Sequence, residues 1–164
     1  MGLYKKTVDP LFSITGWITV ILLSVMVVVE SYEIAMREFT GDTPAWSKEL
    51  VLLCMVWLGC LGSAVLHRQY GHITLEFIVD RMGPAKRKWI MLGGELLVLG
   101  FSAIILVTGA VLVREFMDQT LPGTRMPAGA SYLPLPVTGL LLVLACFEHI
   151  ADLLAGKEVV SDET

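Results

Sequence analysis

Four carboxylates fall where carboxylates are costly. Glu30, Glu49, Glu95 and Glu148 lie in or at the edges of long apolar runs, and a charge at that depth in a bilayer is paired, functional or both. Such residues can relay protons or ions. They can also serve as polar clasps between helices, or as contacts to a partner subunit. No run of acidic and polar residues traces a path along one helix pair, and this favours the clasp. His67, His72 and His149 raise the question of haem, which four-helix cytochromes hold between paired histidines on facing helices. Only His149 falls within an apolar run, while His67 and His72 lie at or beyond the end of one. That placement argues against a haem. Cys54, Cys60 and Cys146 all fall inside apolar runs. Odd in number, and with no second cluster to complete a ligand set, they are expected as small buried hydrophobes and not as disulfides or metal ligands. The chain has no nucleotide loop, zinc spacing or nucleophile–base pair, so neither an enzyme nor a cofactor is expected.

The elements that must position these groups follow from composition. Of 164 residues, 55% are hydrophobic and 17% charged, and the mean hydropathy is +0.70. A soluble domain of this size would need more polar surface. The expected class is an all-α integral membrane protein in one domain over residues 1–164. A net charge of −4 with basic residues confined to short loops argues against nucleic acid as a partner. Crossing a bilayer takes roughly 20 apolar residues. Four stretches meet that length, over about 11–39, 45–67, 88–113 and 134–154. The first follows a polar leader and continues into charged sequence, unlike a cleavable signal peptide. Glu33 and Arg37 at its far end are spaced to pair on one helix face. Gly41-Asp42-Thr43-Pro44 then breaks the helix, with Thr43 as N-cap and Pro44 in the first turn of the next.

The second span begins with Trp46 and Glu49, the latter near the helix N-terminus where the dipole favours a carboxylate. Gly59 and Gly62, with Ser63 and Ala64, form a small-residue patch that lets another helix approach closely. Residues 72–84 are too polar to span and are expected as an amphipathic interfacial helix. Glu95 and Glu148 each lie about two turns from the ends of their helices, at similar depth and near Arg68, Lys88 or His149. The segment 114–133, with Pro122, Gly123, Pro127 and Gly129, is expected to be irregular and exposed. Orientation follows from the basic residues in short loops. Lys5, Lys6, Arg68, Arg81, Lys86, Arg87, Lys88 and Lys157 share one side, against Arg37, Lys48, Arg114 and Arg125 on the other. The richer side is expected in the cytoplasm, with both termini.

These features occur in a particular order: Trp46-x-x-Glu49, Trp57-x-Gly59, Arg68-x-x-x-His72-Ile73 before an acidic Glu76, and Tyr132-Leu-Pro134-Leu-Pro136 opening the last span. In that order and spacing the chain resembles, over nearly its whole length, the DctQ-like small permease subunits of TRAP (tripartite ATP-independent periplasmic) transporters. That family usually carries aspartate where this chain has Glu76, which leaves the acidic character intact. The resemblance implies a non-catalytic scaffold in the bacterial inner membrane, in contact with lipid. The scaffold would anchor a large elevator-type permease (M) subunit and offer surface to a periplasmic substrate-binding (P) protein during sodium-driven uptake of organic acids such as dicarboxylates or sugar acids. It marks Trp46, Glu49, Trp57, Gly59, Gly62, Arg68, His72, Glu76, Pro134 and Pro136 as motif or interface positions. The competing reading is a small proton-coupled multidrug-type exporter, a dimer working through Glu30 or Glu95.

Overall fold

The structure, a computed structural model, describes the backbone of residues 2–70 and 84–154 and the side chains of 8–69 and 88–154. Four α-helices carry the described fold: α1 (Gly2–Thr40), α2 (Ala45–Tyr70), α3 (Pro84–Glu115) and α4 (Pro134–Leu154), with a short 3₁₀ helix, Ala128–Tyr132, before the last. Each contains a segment long and apolar enough to cross a membrane, with segment hydropathies from 1.9 to 2.7. The first helix is longer than expected. It starts at Gly2 and runs through Pro10, so the polar leader is an extension of the span. The interfacial helix expected over 72–84 lies outside the described residues, as do His72 and Glu76.

Local chemistry explains the ends. α1 stops at Gly41, whose φ of 70° is the left-handed conformation that glycine adopts without a Cβ penalty. Its amide donates to the Arg37 carbonyl at 3.1 Å, the single backward bond that closes many helix C-termini. Pro44 then sits just before α2, one position earlier than expected, a difference within the usual ambiguity of helix ends.

The helices run up, down, up and down. α1 packs along α2, α3 along α4, and α2 meets α4 between the two pairs. The central core is built from Val8 and Phe12 of α1, Leu61 and Ala64 of α2, and Leu141, Leu142 and Ala145 of α4, with Trp57 packed against it. The opposite faces are apolar too. Ile14, Trp17, Val28, Leu97, Phe101 and Ile104 all point outward and are more than half exposed. That pattern suits a lipid or protein neighbour and not water.

The small-residue patch of α2 divides, with Ala64 fully buried in the core and Gly59 and Gly62 in no tight contact within the described residues. A Cβ added at Gly59 would meet nothing within 4 Å, and at Gly62 only the Thr19 methyl at 4.0 Å. Backbones instead meet tightly between α3 and α4. A Cβ at Gly109 would lie 2.7 Å from Leu135 Cβ, and one at Gly139 would lie 2.8 Å from the Leu106 nitrogen. Pro134 and Pro136 belong to this contact: Pro134 is fully buried and Pro136 faces Gly109. Small residues permit close approach, but the partner surface decides which of them is used.

Candidate functional site: two polar clasps at opposite ends of the bundle

At the end where α1 joins α2, Glu49 is held by the connection between α3 and α4. It accepts from the Gly123 amide at 2.8 Å, the Thr124 amide at 2.7 Å and the Thr124 hydroxyl at 2.9 Å. The loop is folded for this. The Leu121 amide donates to the Met126 carbonyl at 2.8 Å, the Ala128 amide donates to the Gln119 carbonyl at 2.7 Å, and Thr120 pairs with Pro127 across a short antiparallel bridge. Arg125 takes a left-handed φ of 56° at the tip. The segment is irregular and largely exposed as expected, and it is also hydrogen-bonded into a tip whose consecutive amides cradle an anion. Gly123 is required there: a Cβ would come 2.7 Å from the Ala45 carbonyl oxygen.

Glu33 also differs from expectation. It is 9% exposed and accepts from Ser47 Oγ of α2 at 2.6 Å, whereas Arg37 stays exposed. A hydroxyl on the next helix, buried with it, holds the carboxylate better than a solvated guanidinium one turn along. Trp46 stacks on Tyr32 with centroids 6.0 Å apart, joining the same two helices.

At the opposite end the polar groups come from all four helices. Arg68 of α2 presents Nε at 3.0 Å to Glu148 Oε2 and Nη2 at 3.3 Å to Oε1, a two-point contact of the kind that guanidinium and carboxylate planes favour. The same guanidinium bonds Asp9 of α1 and lies 4.7 Å from the Phe12 ring centroid. One turn away, Glu95 of α3 is 3% exposed and bridges two histidines. His149 Nδ1 is 3.1 Å from Oε1 and His67 Nε2 is 3.4 Å from Oε2. His149 Nε2 lies 3.2 Å from the Arg68 carbonyl. Both ring nitrogens of His149 thus face acceptors, and a neutral imidazole carries only one N–H.

Cys146 completes the cluster, with Sγ 3.6 Å from His67 Nε2. The sequence offered it no ligand neighbours because they arrive from other helices. The coordinating atoms of His67, Glu95 and Cys146 all lie within 4.8 Å of one another. The two histidine rings sit 5.4 Å apart with the Glu95 carboxylate bridging them. Glu30 lies on the exposed side of α1. Among the described motif positions, the structure therefore gathers Trp46 and Glu49 at one end and Arg68 at the other. Trp57 lies beside the core between them, Gly59 is exposed, and half-buried Gly62 looks toward Thr19 of α1.

Comparison with known proteins identifies what kind of molecule is built this way. Residues 26–156 match the family model of the DctQ component of tripartite ATP-independent periplasmic transporters. The chain belongs to that family, the small permease subunits of TRAP transporters. It is similar to the sialic acid TRAP transporter small permease protein SiaQ of Vibrio cholerae, 26% identical over 137 residues, 84% of this chain and 79% of the relative. It is also similar to the C4-dicarboxylate TRAP transporter small permease protein DctQ of Rhodobacter capsulatus, 28% identical over 112 residues, 67% of this chain and 48% of the relative. It is a multi-pass membrane protein of a transport system.

Proposed function

We propose that this chain is the static scaffold of a TRAP transporter, holding a large permease (M) subunit in place while that subunit moves substrate. The observation that carries the reading is the fate of the acidic groups. Glu33, Glu49, Glu95 and Glu148 are each engaged by a partner on another helix or loop, so they brace the bundle. By contrast, the outer faces of α1 and α3 and the α2 surface at Gly59 remain apolar and open. A brace with apolar flanks has the properties of a stator: rigid inside and adhesive outside.

Transport itself is then sodium-driven and binding-protein-dependent, with the chemistry of uptake residing in the large subunit. The substrate class is an organic acid, since the named relatives serve sialic acid and C4-dicarboxylate systems. The chain lies in the bacterial inner membrane with both termini cytoplasmic, as the distribution of Lys and Arg favours. The Glu49 end then faces the periplasm, where the loop at Gly123 adds surface for the substrate-binding (P) protein. Co-purification from native membranes tests the assembly, and the expected result is a much larger membrane protein in constant ratio. Gly59→Leu should weaken that assembly in native gels while leaving the small subunit folded, since a side chain there meets nothing within 4 Å in the subunit. Solute uptake by this chain alone in liposomes would refute the scaffold reading.

A further inference from the structure

We propose that His67, Glu95 and Cys146 form a zinc site that fastens α2, α3 and α4 together within the membrane. The first ground is geometric. Zn–S bonds of about 2.3 Å and Zn–N or Zn–O bonds of about 2.0–2.1 Å, arranged tetrahedrally, set S and N about 3.6 Å apart and N and O about 3.4 Å apart. Cys146 Sγ and His67 Nε2 are 3.6 Å apart, and His67 Nε2 and Glu95 Oε2 are 3.4 Å apart. Two edges of a zinc tetrahedron therefore already exist, and the third pair lies within 4.8 Å, close enough for a rotamer adjustment.

The second ground is chemical. A thiolate, an imidazole and a carboxylate suit zinc better than magnesium or calcium, which prefer oxygen alone. Thiolate and carboxylate together neutralise the divalent ion, as a site in an apolar bundle requires. The third ground is the support behind the ligands. His149 holds the far oxygen of Glu95 at 3.1 Å and is itself fixed at 3.2 Å to the Arg68 carbonyl, the outer-layer bracing that orients metal ligands. Glu95 and Cys146 are 3% and 0% exposed. Three protein ligands leave one position for water.

This inference does not depend on the scaffold reading, because a metal measurement and a co-purification measurement can fail separately. The full chain is purified from membranes through a tag lacking histidine, with any subunit that accompanies it, and its metal content is measured. About one zinc per chain is expected, falling at least tenfold in Cys146→Ser and in His67→Gln. A second measurement leaves all three proposed ligands in place. In a Cys54→Ala, Cys60→Ala chain, where Cys146 is the sole cysteine, Co²⁺ added after chelation should produce a thiolate charge-transfer band in the near ultraviolet, and Zn²⁺ should bleach it. A wild-type chain without zinc that also gives no cobalt band overturns the proposal. So does metal content that is unchanged by Cys146→Ser.

Discussion

The two ends of this bundle solve the same problem with different materials. At the Glu49 end a carboxylate is held by main-chain amides of a loop, and the surroundings are backbone against backbone. Gly123 lies against Ala45, Gly129 against the Val113 carbonyl, and Gly109 against Pro136. At the Arg68 end the bonds run between side chains from all four helices. The backbone clasp depends on small residues and on the path of the chain. The side-chain clasp depends on residue identity, and it concentrates charge where water is scarce. The first is therefore sensitive to added volume and the second to lost charge.

Substitutions at each end can break or sharpen that contrast. The largest effect is expected at Arg68. Arg68→Met deprives buried Glu148 of its guanidinium, and breaking a buried ion pair from one side costs about 3–5 kcal/mol. Thermal unfolding in detergent reads this directly. Adding Glu148→Leu should recover part of the loss, because both charges are then gone. Undiminished stability of the single variant would mean that water reaches the cluster.

Gly109→Ala comes next, at the other end. Its Cβ would press on Leu135 and on Pro136 at 2.7–2.9 Å, and overpacking of this kind costs about 1–3 kcal/mol. If Gly109→Ala were harmless while Arg68→Met was severe, the distinction between volume and charge would fail at the Glu49 end. A smaller and more local effect is expected from Glu49→Gln. The amides of Gly123 and Thr124 should exchange hydrogen faster while the Arg68 end is unchanged, as hydrogen-exchange mass spectrometry of the 114–133 segment would show. The smallest effect belongs to neither end. Gly59→Ala meets nothing within 4 Å, so it should leave unfolding unchanged or raise stability by up to about 1 kcal/mol through helix propensity.

The spans were legible because their signal is composition and length. The fourth was expected at 134–154 and is observed at Pro134–Leu154, since Pro134 and Pro136 mark its start. α1 was harder to bound, because a polar leader and a proline near an N-terminus look like a stop until the helix is seen to pass through them. The clasps were only half legible. Glu49, Glu95, Arg68 and Glu148 stood out as charges in apolar surroundings, but Gly123 and Thr124 did not. An amide donor has no sequence signature, and the loop's hydrogen-bonded turn is encoded diffusely over eight or so residues. Cys146 was expected as a buried hydrophobe and is fully buried, but its neighbours His67 and Glu95 were not legible, because clusters are read from spacing along one segment. Here the three groups are separated by long stretches of chain.

By itself the sequence determined that this is a multi-pass membrane protein, with four helices long and apolar enough to span among the described residues, and which family it belongs to. All of these depend on local hydropathy and short motifs, which persist whatever the helices pack against. Only the tertiary structure decided which charges meet, that Glu33 turns to Ser47, that glycines of α3 and α4 and not of α2 carry the close contact, and that His67, Glu95 and Cys146 share one site. Each of those depends on the rotation and depth of one helix relative to another, set by the summed packing of many weak contacts and written in no single stretch of the chain.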